Sequence, residues 1–394
     1  MKKLLFIMNN LHCGGAEKAL VSLLQTIDYA RWSVDLLLLK REGMFLGQLP
    51  GRVRVLEPPS AYPYFDMPIG EAVKRCMAQG QFGVALARLQ AGVLFKTDRR
   101  PAVREQRLWT YLSRALPKLD RHYDAAVGYL EKTPIYYCVE KVQADVKLGF
   151  IHNDYTMLGM DPSLDRPWFG KLDYIVTVSD ICGEVLERQF PDMAAKVKVM
   201  RNIVSPAAIR RLALEPSPSL PRSSGLSIVS VGRLHEQKGF DMAADACRLL
   251  LDRGFDVRWY VVGEGEERSK LEAQIARLGL EDRFILLGLQ PNPYPLIRQA
   301  DLYVHPSRYE GKPIAVDEAK ILGKPIVVTD FTTARDQIDS MVNGLVVGMS
   351  AEAICDGAAR LLGDERLRKA FSERLAAERL GTEDEIERLY DMIS

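Results

Sequence analysis

Ser227-Ile228-Val229-Ser230-Val231-Gly232-Arg233-Leu234-His235-Glu236-Gln237-Lys238-Gly239 reads as an apolar strand that ends in glycine, a short loop carrying two cations, and the start of a helix. The same beat continues down the chain. Apolar runs at 257–262, 284–287, 302–305 and 325–329 alternate with amphipathic segments at 239–251, 267–277 and 315–322. Gly254 and Gly279 fall just past two of those segments, where helix C-terminal caps are expected. Continuous rather than alternating Val/Ile/Leu runs belong to strands buried on both faces, hence to a parallel sheet covered by helices. The stretch therefore predicts a doubly wound α/β domain over 226–375.

The N-terminal half repeats the theme less regularly, with strands expected at 4–8, 34–39, 125–128, 147–151 and 174–178 and a helix at 16–27. A Pro/Ser/Gly-rich stretch at 215–225 separates the halves. The division is then a first Rossmann-like domain over 1–205, a linker over 206–225, a second Rossmann-like domain over 226–375, and a C-terminal helix over 376–394 able to cross back to the first domain. Two such domains are expected to face each other across a cleft, with the strands' C-terminal ends towards it. The length of 394 residues exceeds one ordinary core, and 47 % hydrophobic residues exclude a disordered chain.

Lys+Arg 53 against Asp+Glu 52 leaves a net charge of +1, which gives no global reason to expect nucleic acid. Six scattered cysteines without a CxxC pair suggest neither a zinc site nor a disulfide framework, and fit a reducing cytoplasm. The opening Met1-Lys2-Lys3 followed by Leu4 to Met8 mimics a signal peptide, but Asn9, Asn10 and His12 cut the apolar run short and leave a buried strand. No apolar run approaches the roughly 18 to 20 residues needed to cross a bilayer.

Chemistry concentrates at strand ends. Pro306-Ser307-Arg308-Tyr309-Glu310-Gly311-Lys312-Pro313-Ile314-Ala315-Val316-Asp317-Glu318-Ala319-Lys320 carries two glutamates eight positions apart. With Pro313 at the first helical position, Glu310 stands in the loop before the helix and Glu318 in its second turn, so the two can touch different parts of one elongated ligand. The N–H groups of the turn at 311–314 would meet anionic oxygen at the helix N-terminus. The alternative is that Glu310 caps the helix and Glu318 is a solvated charge. In the loop after Val231, Arg233 and Lys238 suit a diphosphate, Arg through paired hydrogen bonds and Lys as a point charge; exposed cations near a helix start are the other reading. Gly14 and Gly15, in His12-Cys13-Gly14-Gly15-Ala16-Glu17-Lys18, either let a ligand approach the backbone or form a turn needing glycine dihedrals. His152 follows a strand directly, beside Asn153 and Asp154, and is either a functional side chain or a satisfied structural one. There is no Walker A sequence, no HExxH, no GxSxG and no pair of aspartates two apart, so a metal-independent reaction without cofactor is expected.

Taken in order, these segments resemble glycosyltransferase family 4, retaining nucleotide-sugar-dependent enzymes of the GT-B fold. The resemblance rests on Glu310 and Glu318 within Glu310-Gly311-Lys312-Pro313, on Gly232-Arg233-Leu234 with Gln237-Lys238-Gly239, on Val262-Gly263-Glu264-Gly265, and on Gly14-Gly15-Ala16-Glu17. It implies catalytic roles for His152, Glu310, Arg233 and Lys238. Arg233 and Lys238 would neutralise the donor diphosphate, Glu318 would accept from the ribose hydroxyls, and Glu310 would hold sugar hydroxyls near the reacting carbon. Gly15, Gly232, Gly263, Gly311, Lys312, Pro313 and Ile314 would complete the donor site, with the backbone near Leu289 and Gln290 facing the base. Gly14, Glu17, Asn153 and Asp154 would lie on the acceptor side. Lys312-Pro313 departs from the aromatic residue and glycine of many relatives, and looks like bacterial surface-polysaccharide transferases. The implied reaction moves a hexose or N-acetylhexosamine from a nucleotide diphosphate sugar, uridine for preference, to a glycan or lipid-linked acceptor. A sugar-nucleotide epimerase and a non-catalytic nucleotide-sugar-binding protein are the competing functions.

An irregular, helix-leaning insertion at 71–121 holds eleven cations against four anions, a local charge of +7, interleaved with Phe82, Leu86, Leu89, Val93, Leu94, Phe95 and other apolar side chains. Such a surface can contact an anionic membrane at the inner face of the cell. Helices packed on their own domain with solvated cations are the alternative.

Overall fold

Every strand expected from a continuous apolar run is present, and each lies in a parallel sheet. The computed structural model describes residues 1–12, 14–97, 99–216, 220 and 225–394; Cys13, Asp98, much of the stretch at 215–225 and the side chains of Phe95, Lys96 and Thr97 lie outside the described residues. The chain divides into two units, the first comprising Met1–His12, Ala16–Arg201 and Asp384–Ser394, the second built on Asn202–Glu383.

In the first unit β1 (Lys2–Met8), β2 (Trp32–Leu38), β3 (Arg54–Val55), β4 (His122–Gly128), β5 (Gln143–Ile151), β6 (Tyr174–Thr177) and β7 (Val197–Val199) form a sheet in the order β3-β2-β1-β4-β5-β6-β7. Its helices are α1 (Gly15–Thr26), α2 (Pro63–Asp66), α3 (Ile69–Ala78), α4 (Phe82–Thr97), α5 (Pro101–Ala115), α6 (Thr133–Lys141), α7 (Pro162–Phe169) and α8 (Asp180–Gln189). Leu4 is fully buried and pairs with Val34 on one side and Ala125 on the other, so the run that mimics a leader is an interior strand of the sheet. The insertion supplies α3 to α5, and Trp109 and Leu112 of α5 are buried in the core shared with Tyr136 and Tyr137 of α6.

In the second unit β8 (Leu226–Val231), β9 (Val257–Val262), β10 (Phe284–Leu286), β11 (Leu302–His305), β12 (Ile326–Thr329) and β13 (Leu345–Val347) run in the order β10-β9-β8-β11-β12-β13. They are covered by α9 (Pro206–Leu212), α10 (Phe240–Asp252), α11 (Arg268–Leu278), α12 (Tyr294–Gln299), α13 (Ile314–Ile321), α14 (Ala351–Gly363) and α15 (Glu365–Ala377). The order doubles back beside β8: β9 and β10 extend one way, β11 to β13 the other. A crevice beyond the strand ends is expected at that reversal, between β8 and β11.

Two readings are corrected. The segment at 206–225 does not begin as linker: Ser205 accepts from the Ala208 N–H, Pro206 occupies the first turn, and α9 packs on α12 and α13. The residues at 376–394 are not one helix, since α15 ends at Ala377 and a separate helix, α16 (Ile386–Ile393), follows. That helix belongs to the first unit, where Tyr390 stacks on Trp32 at 6.2 Å and its hydroxyl accepts from the Asp28 N–H at 2.7 Å. The edge strands β3, β7 and β13, of two or three residues each, are too short to announce themselves as apolar runs.

Candidate functional site

The loops after β8 and β11 meet at the reversal of strand order. The Arg308 N–H donates to the Gln237 carbonyl at 2.7 Å, the Gln237 side chain to the Tyr309 carbonyl at 2.8 Å, and the Arg308 guanidinium to the Glu236 carbonyl at 2.7 Å and the Asp241 carboxylate at 2.6 Å. Gly239 permits this closeness twice over. Its φ is +64°, and a Cβ there would stand 2.1 Å from the Pro306 carbonyl oxygen. Gly263 has a similar duty, because a Cβ would meet the Gly232 carbonyl oxygen at 1.9 Å.

Into this laced pair of loops the fold buries Glu310, 5 % exposed. Its Oε1 accepts from Lys238 Nζ at 2.5 Å, Ser307 Oγ at 2.6 Å and His305 Nε2 at 3.0 Å. Its Oε2 receives only a 3.4 Å contact from Gln237 among the described residues. Burial works to raise the carboxyl's pKa, but the Lys238 charge and the His305 hydrogen bond outweigh it and hold the group at about 2. Glu310 is thus a permanent carboxylate with one oxygen spent on anchoring. A carboxylate can only accept, so His305 Nε2 carries the hydrogen and Nδ1 faces the Tyr303 hydroxyl at 3.4 Å. Burial pushes the His305 pKa down against the pull of Glu310.

Glu318 is buried too, at 2 % exposure, and its Oε1 accepts from the Tyr294 hydroxyl at 2.9 Å. It is no solvated charge. Nor does Glu310 cap α13: Pro313 is the N-cap residue, with extended backbone, and the first helical residue is Ile314 rather than Pro313. The N–H groups of the first turn point back towards the Gly311–Lys312 end of the loop, where the helix dipole favours negative charge. Lys312 is half-buried, and its carbonyl accepts from the Asn202 side chain at 3.3 Å. Arg233 is exposed and pairs with Glu266 at 3.0 Å. Leu289 is exposed, and Gln290 donates to the Leu287 carbonyl at 3.1 Å.

The remaining candidates follow the strands β1 and β5. Gly15 needs no glycine dihedral: it has no positive φ, it is the first residue of α1, and a Cβ there would meet nothing within 4 Å. Glu17 lies in the first turn of α1. His152 is buried among the rings of Tyr129 and Phe150, and burial pushes its pKa down to about 4 against the hydrogen bond to Tyr129. Nε2 stands 3.1 Å from the Tyr129 carbonyl oxygen, which can only accept; Nε2 therefore holds the hydrogen, and Nδ1 is left as an acceptor. Glu131, buried beside it with its pKa raised by burial, hydrogen-bonds Asn153. Asp154 is spent locally, its Oδ1 accepting from the Thr156 N–H at 3.0 Å and hydroxyl at 2.6 Å.

Sequence reasoning missed His305, Ser307, Tyr294 and Glu131. The signal for His305 was available: it ends β11, as His152 directly follows β5, and a polar residue at the end of an apolar strand marks the functional edge of a parallel sheet. Among the described residues no group of three or more His, Cys, Asp or Glu side chains is placed to hold a metal ion.

Residues 216–377 match the family model of the glycosyl transferases group 1. This segment is a group 1 glycosyltransferase domain. It contains Glu310, Glu318, Arg233 and Lys238. An uncharacterized glycosyltransferase of Methanocaldococcus jannaschii is 27 % identical over 169 residues, 42 % of each chain. The Campylobacter jejuni enzyme named N-acetylgalactosamine-N,N'-diacetylbacillosaminyl-diphospho-undecaprenol 4-alpha-N-acetylgalactosaminyltransferase is 28 % identical over 208 residues, 52 % of this chain and 55 % of that one. The matched region thus spans about half or less of these relatives' own length. The crystal structure of Anabaena HepE in complex with UDP and glucose superposes with a TM-score of 0.69 over 100 % of this chain and 99 % of that chain, at 16 % identity. The group 1 domain and the unit before it have the α/β two-domain architecture of the GT-B glycosyltransferases.

Proposed function

We propose that this chain is a retaining glycosyltransferase that moves a hexose or N-acetylhexosamine from a nucleotide diphosphate sugar, UDP-linked for preference, to a glycan or lipid-linked saccharide in surface-polysaccharide or glycoconjugate biosynthesis. The observation that carries the reading is the Glu310–Lys238 pair at the strand-order reversal of a group 1 glycosyltransferase domain, beside the N-terminus of α13. Breaking the bond from sugar carbon to phosphate puts negative charge on the leaving diphosphate and positive charge on the ring. Fixed charges of opposite sign at those two places stabilise the separation without reorganising.

In this reading Lys238, Arg233 and the first turn of α13 take the diphosphate, which lets the reaction run without a metal. The exposed Arg233–Glu266 pair is weak enough to yield its arginine to a phosphate. Glu310 Oε2 accepts from sugar hydroxyls, Glu318 from the ribose, and the backbone near Leu289 and Gln290 meets the base. A carboxylate held at about 2, with three donors on one oxygen, is a poor base and a poor nucleophile. That suits transfer on one face, the departing phosphate oxygen taking the acceptor's proton. His152, neutral, offers Nδ1 as a hydrogen-bond acceptor for the sugar. Gly14, Glu17 and Asn153 are assigned to the acceptor. The described cysteines, Cys76, Cys138, Cys182, Cys247 and Cys355, are buried free thiols, in keeping with a cytoplasmic enzyme.

The test is a thermal-shift screen over uridine and guanosine diphosphate sugars, followed by transfer with the stabilising donor and an NMR reading of the product's anomeric configuration. A donor that raises the melting temperature and gives a product of retained configuration is expected. Interconversion of the donor without acceptor, or an inverted product, would overturn the assignment.

A further inference from the structure

α4 is turned inside out. Phe82, Leu86, Leu89 and Val93 recur at intervals of four, three and four, which sets them in one line along the helix, and that line faces solvent with exposures of 62, 57, 48 and 57 %. Arg88, the one charged side chain between Phe82 and Phe95, points the other way. It is 5 % exposed, and its guanidinium donates to the Tyr64 carbonyl at 2.8 Å and the Met67 carbonyl at 2.9 Å. Ordinary amphipathic packing would place the leucines inside, where apolar side chains leave water, and the arginine outside. The exposed stripe is long for a surface that meets only water.

The neighbouring helix supplies charge. Arg100 is the N-cap residue of α5, and Arg104, Arg107 and Arg114 follow on one face of that helix. Arg114 reaches across to the Gln90 side chain of α4 at 3.3 Å, so the arginine line runs beside the apolar one. From 99 to 118 the chain holds six cations and one anion. A second copy of this chain could cover the leucines only by bringing two such arginine lines together, a like-charge juxtaposition that opposes association. An anionic lipid surface complements both lines at once: acyl chains for the stripe, headgroup phosphates for the arginines.

We propose that α4 lies in the surface of an anionic membrane, its stripe of Phe82, Leu86, Leu89 and Val93 entering the acyl boundary and the α5 arginines resting on headgroups. The basic face expected from the sequence at 71–121 thereby narrows to one helix and its neighbour. The inference uses no group of the proposed transfer site and stands or falls apart from it.

Flotation of the full chain with vesicles tests it, using phosphatidylcholine alone against phosphatidylcholine mixed with phosphatidylglycerol. The wild type is expected to float with the mixed vesicles and to be weakened at about 1 M salt, where the Debye length is about 3 Å. The double variant L86E/L89E should keep the wild-type melting temperature, because both sites are already exposed, and lose binding by about 100-fold, a factor of about ten for each leucine withdrawn. Leu89→Trp reads the same docking without a charge in the helix, through a blue shift of its emission on adding mixed vesicles. Wild type that stays in solution with both vesicle types overturns the proposal, as does a double variant that floats like the wild type. Equal binding to phosphatidylcholine alone overturns the role of the arginines. A wild-type dimer that L86E/L89E dissociates, with no vesicle binding, assigns the stripe to self-association instead.

Discussion

At Glu310 one oxygen takes three hydrogen bonds while the other has a single long one, so the side chain is both anchored and open for a ligand. Lys238 serves two masters there. Removing it should cost the donor a charge-assisted contact of about 1.5 to 3 kcal/mol, a loss of roughly 10- to 100-fold in affinity. It also strips a buried carboxylate of its partner, so Lys238→Ala should raise the Glu310 pKa and lower the melting temperature. Calorimetric titration with the donor and a melt of the free protein check both effects; unchanged donor affinity would remove Lys238 from the diphosphate. Tyr294→Phe leaves Glu318 short of a donor and should cost about 1 to 3 kcal/mol in urea unfolding, with a weaker donor KM. The glutamates and cations were legible because their residue types and spacing are written in one dimension. Tyr294 was not, because it reaches Glu318 across 24 positions through the packing of α12 near α13.

On the scale of elements, the start of α1 separates what the fold needs from what a ligand needs. Gly15 has an ordinary φ, and a Cβ there meets open space. Gly15→Ala should therefore leave the melting temperature unchanged or raise it slightly, since alanine lowers the entropy of the unfolded chain by about 0.4 to 1 kcal/mol of stability. Transfer activity should nevertheless fall if the added methyl occupies the approach of a ligand. An active Gly15→Ala enzyme would return the glycine to the loop. The opposite case is Gly239: a Cβ 2.1 Å from the Pro306 carbonyl must push apart the loops that bury Glu310. Gly239→Ala should lose stability and activity together, measured by urea unfolding and by turnover. Both glycines were visible in the sequence, but only the surroundings of the Cβ distinguish them.

For the whole molecule, acid is the informative stress. His152 is buried neutral, its folded pKa of about 4 lying below its ordinary value of 6.5. The unfolded chain therefore binds this proton first as pH falls, and stability is lost between about 6.5 and 4, amounting to about 3 kcal/mol from this residue. Glu131, its pKa raised by burial, works in the opposite sense, costing stability as pH rises through its folded pKa. His152→Gln keeps a donor for the Tyr129 carbonyl and cannot titrate. The stability difference between wild type and this variant, measured by urea unfolding, should change by about 3 kcal/mol from pH 7 to pH 4. A difference independent of pH would mean that the imidazole is solvated. The molecule's bookkeeping of charge also changes with scale: a net +1 conceals the local +7 of residues 71–121.

By itself the sequence determined the two doubly wound sheets, because continuous apolar runs must be buried on both faces, and it marked the strand ends at Gly232, His152 and Glu310 where polar residues interrupt them. It placed the domain boundary at 205 where the second unit begins at Asn202, since the change of unit leaves no apolar signal. Only the tertiary structure decided which oxygen of Glu310 is anchored, that His305 and Ser307 do the anchoring, and that α4 turns its leucines outward. Composition records that a residue is apolar or charged; which way it faces is set by what else is packed against it.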